Sequence, residues 1–150
     1  MRSPRRRARE FALQGIYQWL VAGNESSAIE SHLAGVTGFE KVDAALFTTL
    51  LRGVIHDAGS LGALIEPCLD RPLKELSPVE HAILLLAALE LRDHLQTPYR
   101  VVLNEAIEIA KSYGGTDGYK YVNGVLDRLA PELRPVEAGR DRMRRDAASS

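Results

Sequence analysis

Apolar residues recur along this chain at helical spacing, and nowhere do they alternate with polar residues for long enough to predict a strand. In the first segment Ala8, Phe11, Ala12, Gly15, Ile16, Trp19 and Leu20 share one broad stripe at about 100° per residue. Arg6, Glu10, Gln14 and Tyr17 fall on the opposite side, with Arg7 and Gln18 beside them. This predicts a helix over 4–21, stopped by Gly23-Asn24. Further helices are predicted over 26–33, 41–56, 61–66, 78–94 and 98–113. A last one starts near Asp117 and ends before Pro131 or Pro135. Ser3-Pro4, Ser77-Pro78 and Thr97-Pro98 each place a capping hydroxyl ahead of a proline, whose missing N–H costs nothing in a first helical turn. Glu80, three residues after Ser77, completes a capping box. Gly114-Gly115 supplies a left-handed stop for the sixth helix.

The stretch 82–89 is apolar on every side, which marks a buried central helix. Seven helices with short connections make an all-α domain. The longest connection, 70–76, divides it into halves 1–69 and 70–133, each offering about three helices, so two packed small bundles are expected. Beyond 133 the chain is mostly Arg, Asp, Ala and Ser, a composition that predicts a disordered tail over 134–150.

Charge adds a second pattern. The net charge is −1, yet residues 1–10 hold five arginines against Glu10, and residues 134–150 hold five against three carboxylates. The body between them is acidic, which suggests surfaces with different partners. Cys68 is the one cysteine, so no intramolecular disulfide forms, and a lone thiol fits a cytoplasmic protein. No apolar run is long enough to cross a membrane. Residues 11–21 after the arginines have a faint look of a secretion signal, but Gln14 and Gln18 interrupt them and no small-residue cleavage site follows.

The polar face of the first helix runs from basic to amide to aromatic. Guanidinium groups hold phosphates, while Gln and Tyr hydrogen-bond or stack on unpaired bases, so this order suits RNA. A solvated charged face is the plainer account. Against it, arginines at a helix N-terminus oppose the macrodipole and invite a functional reason. Tyr113, Tyr119, Lys120 and Tyr121 interleave aromatic and basic groups around the glycine turn; core packing and ligand contact both remain open for Tyr113 and Tyr121. Asn104, Glu105, Glu108 and Lys111 have a structural explanation, a Glu108–Lys111 pair and a buried hydrogen bond from Asn104. The four histidines and Cys68 show no metal-ligand spacing, and no nucleophile or nucleotide motif occurs. No catalytic residue, metal or cofactor is expected.

Four stretches, 5–18, 69–84, 98–114 and 121–126, resemble in order the motifs of the NusB family of bacterial transcription antitermination factors. They include Arg5-Arg-Arg-Ala-Arg-Glu-Phe-Ala-Leu-Gln14, Leu69-Asp-Arg-Pro-Leu-Lys-Glu-Leu-Ser-Pro78 and Tyr121-Val-Asn-Gly-Val-Leu126. The resemblance implies an all-helical fold of two small bundles over 1–133. It also implies binding to boxA-type leader RNA together with NusE, a small-subunit ribosomal protein, within a complex containing NusA, NusG and RNA polymerase. It places Arg5, Arg6, Arg9 and Gln14 on RNA, with Arg7 beside them, and sets Tyr113, Asp117, Lys120 and Tyr121 on the same face. Glu80 and Tyr17 fall where the family meets its protein partner. Tyr113 and Tyr121 stand where phenylalanine is common, which keeps the stacking surface and adds a hydroxyl. A homodimer is compatible with the family. Two other readings are a protein-binding adaptor that does not recognise RNA, and a relative of the NusB-like domain of a ribosomal RNA cytosine methyltransferase.

Overall fold

The computed structural model describes residues 2–113 and 115–149, without the side chains of Thr116 and Ser149. Among these residues there are seven α-helices and no strand. They are α1 (Pro4–Ala22), α2 (Ser26–Ala34), α3 (Ala44–Ile65), α4 (Pro78–Asp93), α5 (Tyr99–Tyr113), α6 (Gly115–Leu133) and α7 (Pro135–Ser149). The hydroxyls of Ser3 and Ser77 accept from the N–H groups of Arg6 (3.0 Å) and Glu80 (3.1 Å) and so start α1 and α4. Gly23, at φ 68°, closes α1 by donating to the Trp19 carbonyl.

Every residue of α4 from Ala82 to Leu91 is buried. The reason is positional: α4 packs against α1 and α3 on one side and α5 and α6 on the other. It thereby joins the group α1–α3 to the group α4–α6 in one continuous core. Burying each of Leu84, Leu85 and Leu86 stabilises this arrangement by about 1.5–3 kcal/mol. Helix α1 approaches α2 and α3 closely at Gly15, where an added Cβ would lie 2.8 Å from Leu51 and 3.0 Å from Ile29.

The number of helices agrees with expectation, but their membership differs. The segments expected at 41–56 and 61–66 are one helix, α3, bent at Asp57 (φ −109°, ψ 18°) rather than broken. The bend is clamped from α4 by Arg92, whose guanidinium donates to Asp57 at 2.7 Å. Helix α6 takes the later of its two expected ends, continuing through Pro131 to Leu133 before Pro135. Proline leaves the Asp127 carbonyl without its helical donor, a cost reduced here because Asp127 is exposed.

The tail expected to be disordered forms α7. Its anchor is Arg134, 4% exposed, which donates to the carbonyls of Leu91 (2.6 Å), His94 (3.0 Å) and Glu90 (3.2 Å). The Glu90 and His94 carbonyls also accept the N–H groups of His94 and Thr97, both at 3.0 Å, so the guanidinium reinforces the end of α4 and serves the Leu91 carbonyl there. Arg134 also pairs with Glu137, which in turn accepts the N–H of Tyr99 at the start of α5 (2.9 Å).

A candidate nucleic-acid interface

The arginines of α1 have different fates. Arg5 is half exposed and 3.8 Å from Asp43. Arg6 donates to both oxygens of Glu105 on α5, at 2.7 and 3.2 Å. That hydrogen bond, only partly opposed by burial, raises the Arg6 pKa. Arg7 is half-buried and makes no ion pair among the described residues. Just before α1, Arg2 reaches along the helix to Glu10 at 2.6 Å.

Arg9 corrects the expectation that it touches RNA. It is 3% exposed and grips Glu90 of α4 through contacts of 2.9 to 3.2 Å. Burial would push the Glu90 carboxyl up, but the neighbouring His94 ring and the Arg9 guanidinium outweigh this and hold it below the usual range. A buried charge pair of this kind is interior structure, and removing one partner would strand the other.

Glu10, expected on the open face, is 7% exposed. Its Oε2 accepts from Arg2 and from the Tyr113 hydroxyl (3.3 Å), joining the end of α5 to α1. Burial and the neighbouring carboxylate push the Tyr113 phenol up. Tyr113 keeps 40% of its surface exposed, as does Tyr17. With Leu13, Gln14, Gln18 and Val79 they line an open groove of about 400 Å³. Helical spacing on α1 and the end of α5 thus bring Gln14, Tyr17 and Tyr113 together.

Other expected residues lie outside that groove's lining. Asp117 and Lys120 pair at 3.4 Å on exposed turns of α6. Tyr121 donates to Asp70 at 3.1 Å and lies under the Arg71 guanidinium, 4.5 Å from its ring centre, so it packs on the α3–α4 connection. Gly115 has the left-handed φ of 76° expected of a helix stop, while its partner Gly114 lies outside the described residues. Glu80 accepts from the Ser77 hydroxyl at 2.7 Å while its N–H donates back, so it is engaged in the cap that starts α4. On α5 Glu108 pairs with Lys111 at 3.7 Å as expected, but Asn104 is exposed and does not make the buried hydrogen bond expected of it.

Sequence reasoning missed Glu105, Glu90 and Arg134. The available signal was at Glu90, the one charge that ends an otherwise apolar stretch and therefore needs a buried partner. Among the described residues no group of His, Cys, Asp and Glu is placed to hold a metal ion, and no helix is long and apolar enough to cross a membrane.

Comparison with known proteins matches this geometry. A family model described as the NusB family covers residues 6–131. The transcription antitermination protein NusB of Paraburkholderia xenovorans is 56% identical over 144 residues, covering 96% of this chain and 100% of that one. That of Aromatoleum aromaticum is 57% identical over 141 residues, covering 94% and 97%. Among solved structures, T. maritima NusB has a TM-score of 0.75 at 33% identity, over 88% of this chain and 94% of that one. A complex of antitermination factors NusB and NusE with dsRNA has a TM-score of 0.77 at 23% identity, over 88% and 99%, and agrees in fold. With the helices, their order and the arginine-led α1 all in place, this chain belongs to the NusB family.

Proposed function

We propose that this protein is an RNA-binding transcription antitermination factor. It binds boxA-type leader RNA together with NusE and, with NusA and NusG, helps RNA polymerase read through terminators. The observation that carries this reading is the continuity of α1: its basic end leads into a groove where Gln14 and the exposed Tyr113 meet. Arg5 and Arg7, with Arg6 when it leaves Glu105, hold phosphates. Tyr113 offers a stacking face and Gln14 a hydrogen-bonding amide to unpaired bases. Lys120 extends the basic surface along α6, with Asp117 moderating it. Tyr121, braced by Asp70 and Arg71, borders that surface. The protein works in the cytoplasm and performs no catalysis. Family membership and the named relatives support this reading.

Tyr17 and Glu80 are proposed as the contacts to NusE. Tyr17 lines the groove, and Glu80 follows its lining residue Val79. The acidic body suits a basic ribosomal protein better than it suits RNA. The test is a titration of boxA-like and scrambled RNA, each with and without NusE. The expected result is tighter binding of the boxA-like RNA, with a further gain when NusE is present. Equal, weak binding of both RNAs would favour a protein adaptor instead.

A further inference from the structure

The two basic ends of the chain are brought to the same corner of the fold. Arg9 of α1 grips the Glu90 side chain, and Arg134 grips the carbonyls of Glu90, Leu91 and His94. Arg5 lines a depression with residues 93–97, and Arg100 follows almost at once on α5. The arginine end of α1 and the root of α7 therefore flank one turn, that between α4 and α5.

Beyond its anchor, α7 carries Arg140, Arg142, Arg144 and Arg145 against Asp141 and Asp146. Between α5, α6 and α7 runs a groove of about 350 Å³. Arg100, Arg142 and Arg145 line it, on a floor that includes Leu103, Pro131 and Ala138. The carboxylate of Asp141 is shared between Arg100 and Arg145, the latter at 3.0 Å. One negative charge thus serves two guanidinium groups. Arg142 makes no ion pair among the described residues. Asp127 is the one carboxylate among the lining residues, against the three arginines, and Asp141 beside them is already shared. A phosphodiester can replace the shared carboxylate, because guanidinium forks take phosphate in the same two-point geometry.

We propose that the α5–α6–α7 groove is a second phosphate subsite, holding RNA phosphodiesters that flank the segment bound at α1. The proposal rests on the RNA reading above and adds a site on the opposite side of the α4–α5 turn. It gives the basic tail a purpose: Arg134 fixes the helix so that its arginines stay beside α5. A membrane surface is the weaker fit, since α7 exposes only Val136 and Met143 as large apolar residues.

The experiment compares a short boxA-like RNA with the same RNA extended by single-stranded flanks, over a range of salt. The proteins are the parent, Arg142→Ala/Arg145→Ala and Asp141→Asn, each checked for helix content. The parent should bind the extended RNA more tightly and with a steeper salt dependence. The double variant should bind the short RNA as the parent does. On the extended RNA its slope should fall by about 1.4, two contacts at roughly 0.7 each. Asp141→Asn should tighten binding of the extended RNA alone. Equal slopes for parent and double variant on the extended RNA would overturn the subsite, as would equal losses on both RNAs. A parent that binds neither RNA would sink the RNA reading and the subsite with it. Anionic phosphatidylglycerol vesicles, captured by the parent but not by the double variant while RNA slopes stay equal, would assign the groove to lipid and overturn the proposal.

Discussion

Arg6 and Arg9 lie three residues apart on one helix and do different work. Arg9 is sealed against Glu90, whereas Arg6 meets Glu105 at a partly exposed site, with 32% of its side chain open. Glu105 occupies Arg6 as a phosphate would, so on the reading proposed above RNA displaces it. Glu105→Gln should therefore tighten boxA-like RNA binding about two- to fivefold, in line with the 0–1 kcal/mol carried by a partly exposed ion pair. A binding titration checks this, and unchanged or weaker binding would make the pair purely structural. The arginine cluster was plain in the sequence, but which arginine faces inward was not. The partner of Arg9 lies 81 residues away, and no local pattern records that pairing.

Helix starts were legible because their causes are local. A serine and a proline suffice to begin α1 and α4, and a glycine suffices to end α1. The α3 bend and the whole of α7 were not legible, since each depends on a distant contact. Arg134 looked like tail charge, yet it caps α4 from the far end of the chain. Arg134→Met keeps the length of the side chain and removes its donors. It should destabilise the protein by roughly 1–3 kcal/mol, the cost of leaving the Leu91 carbonyl without its donor, and reduce helix content as α7 detaches. Urea unfolding and circular dichroism measure both effects. Parental stability with full helix content would show that α7 is held by other contacts.

For the whole molecule, two of the groups that shape the response to acid lie on α4, His81 and the buried Glu90. Burial holds the His81 pKa below its ordinary 6.5, so the unfolded chain takes up that proton first. Its effect is a loss of stability as pH falls from 6.5 towards the folded value. Glu90 is buried too, but its His94 and Arg9 partners keep its carboxyl below the ordinary 4.5. Its contribution is present above 4.5 and is lost as pH falls through the folded value. Both act in the same direction. The urea midpoint should be highest above pH 6.5 and fall in two stages on acidification, and His81→Gln should remove the first. A midpoint that rises on acidification would contradict this reading of α4.

On the proposed reading, Arg5 and Arg7 hold RNA phosphates while the buried Arg9 holds the fold. The most direct measurement is the salt dependence of boxA-like RNA binding by the parent and by Arg5→Ala/Arg7→Ala. Neither residue is a member of the buried core, and urea unfolding checks that the variant folds as the parent does. Its log–log salt slope should be shallower by about 1.4, for two lost contacts at roughly 0.7 each on single-stranded RNA. An unchanged slope in a folded variant would take these arginines out of the interface and contradict the account.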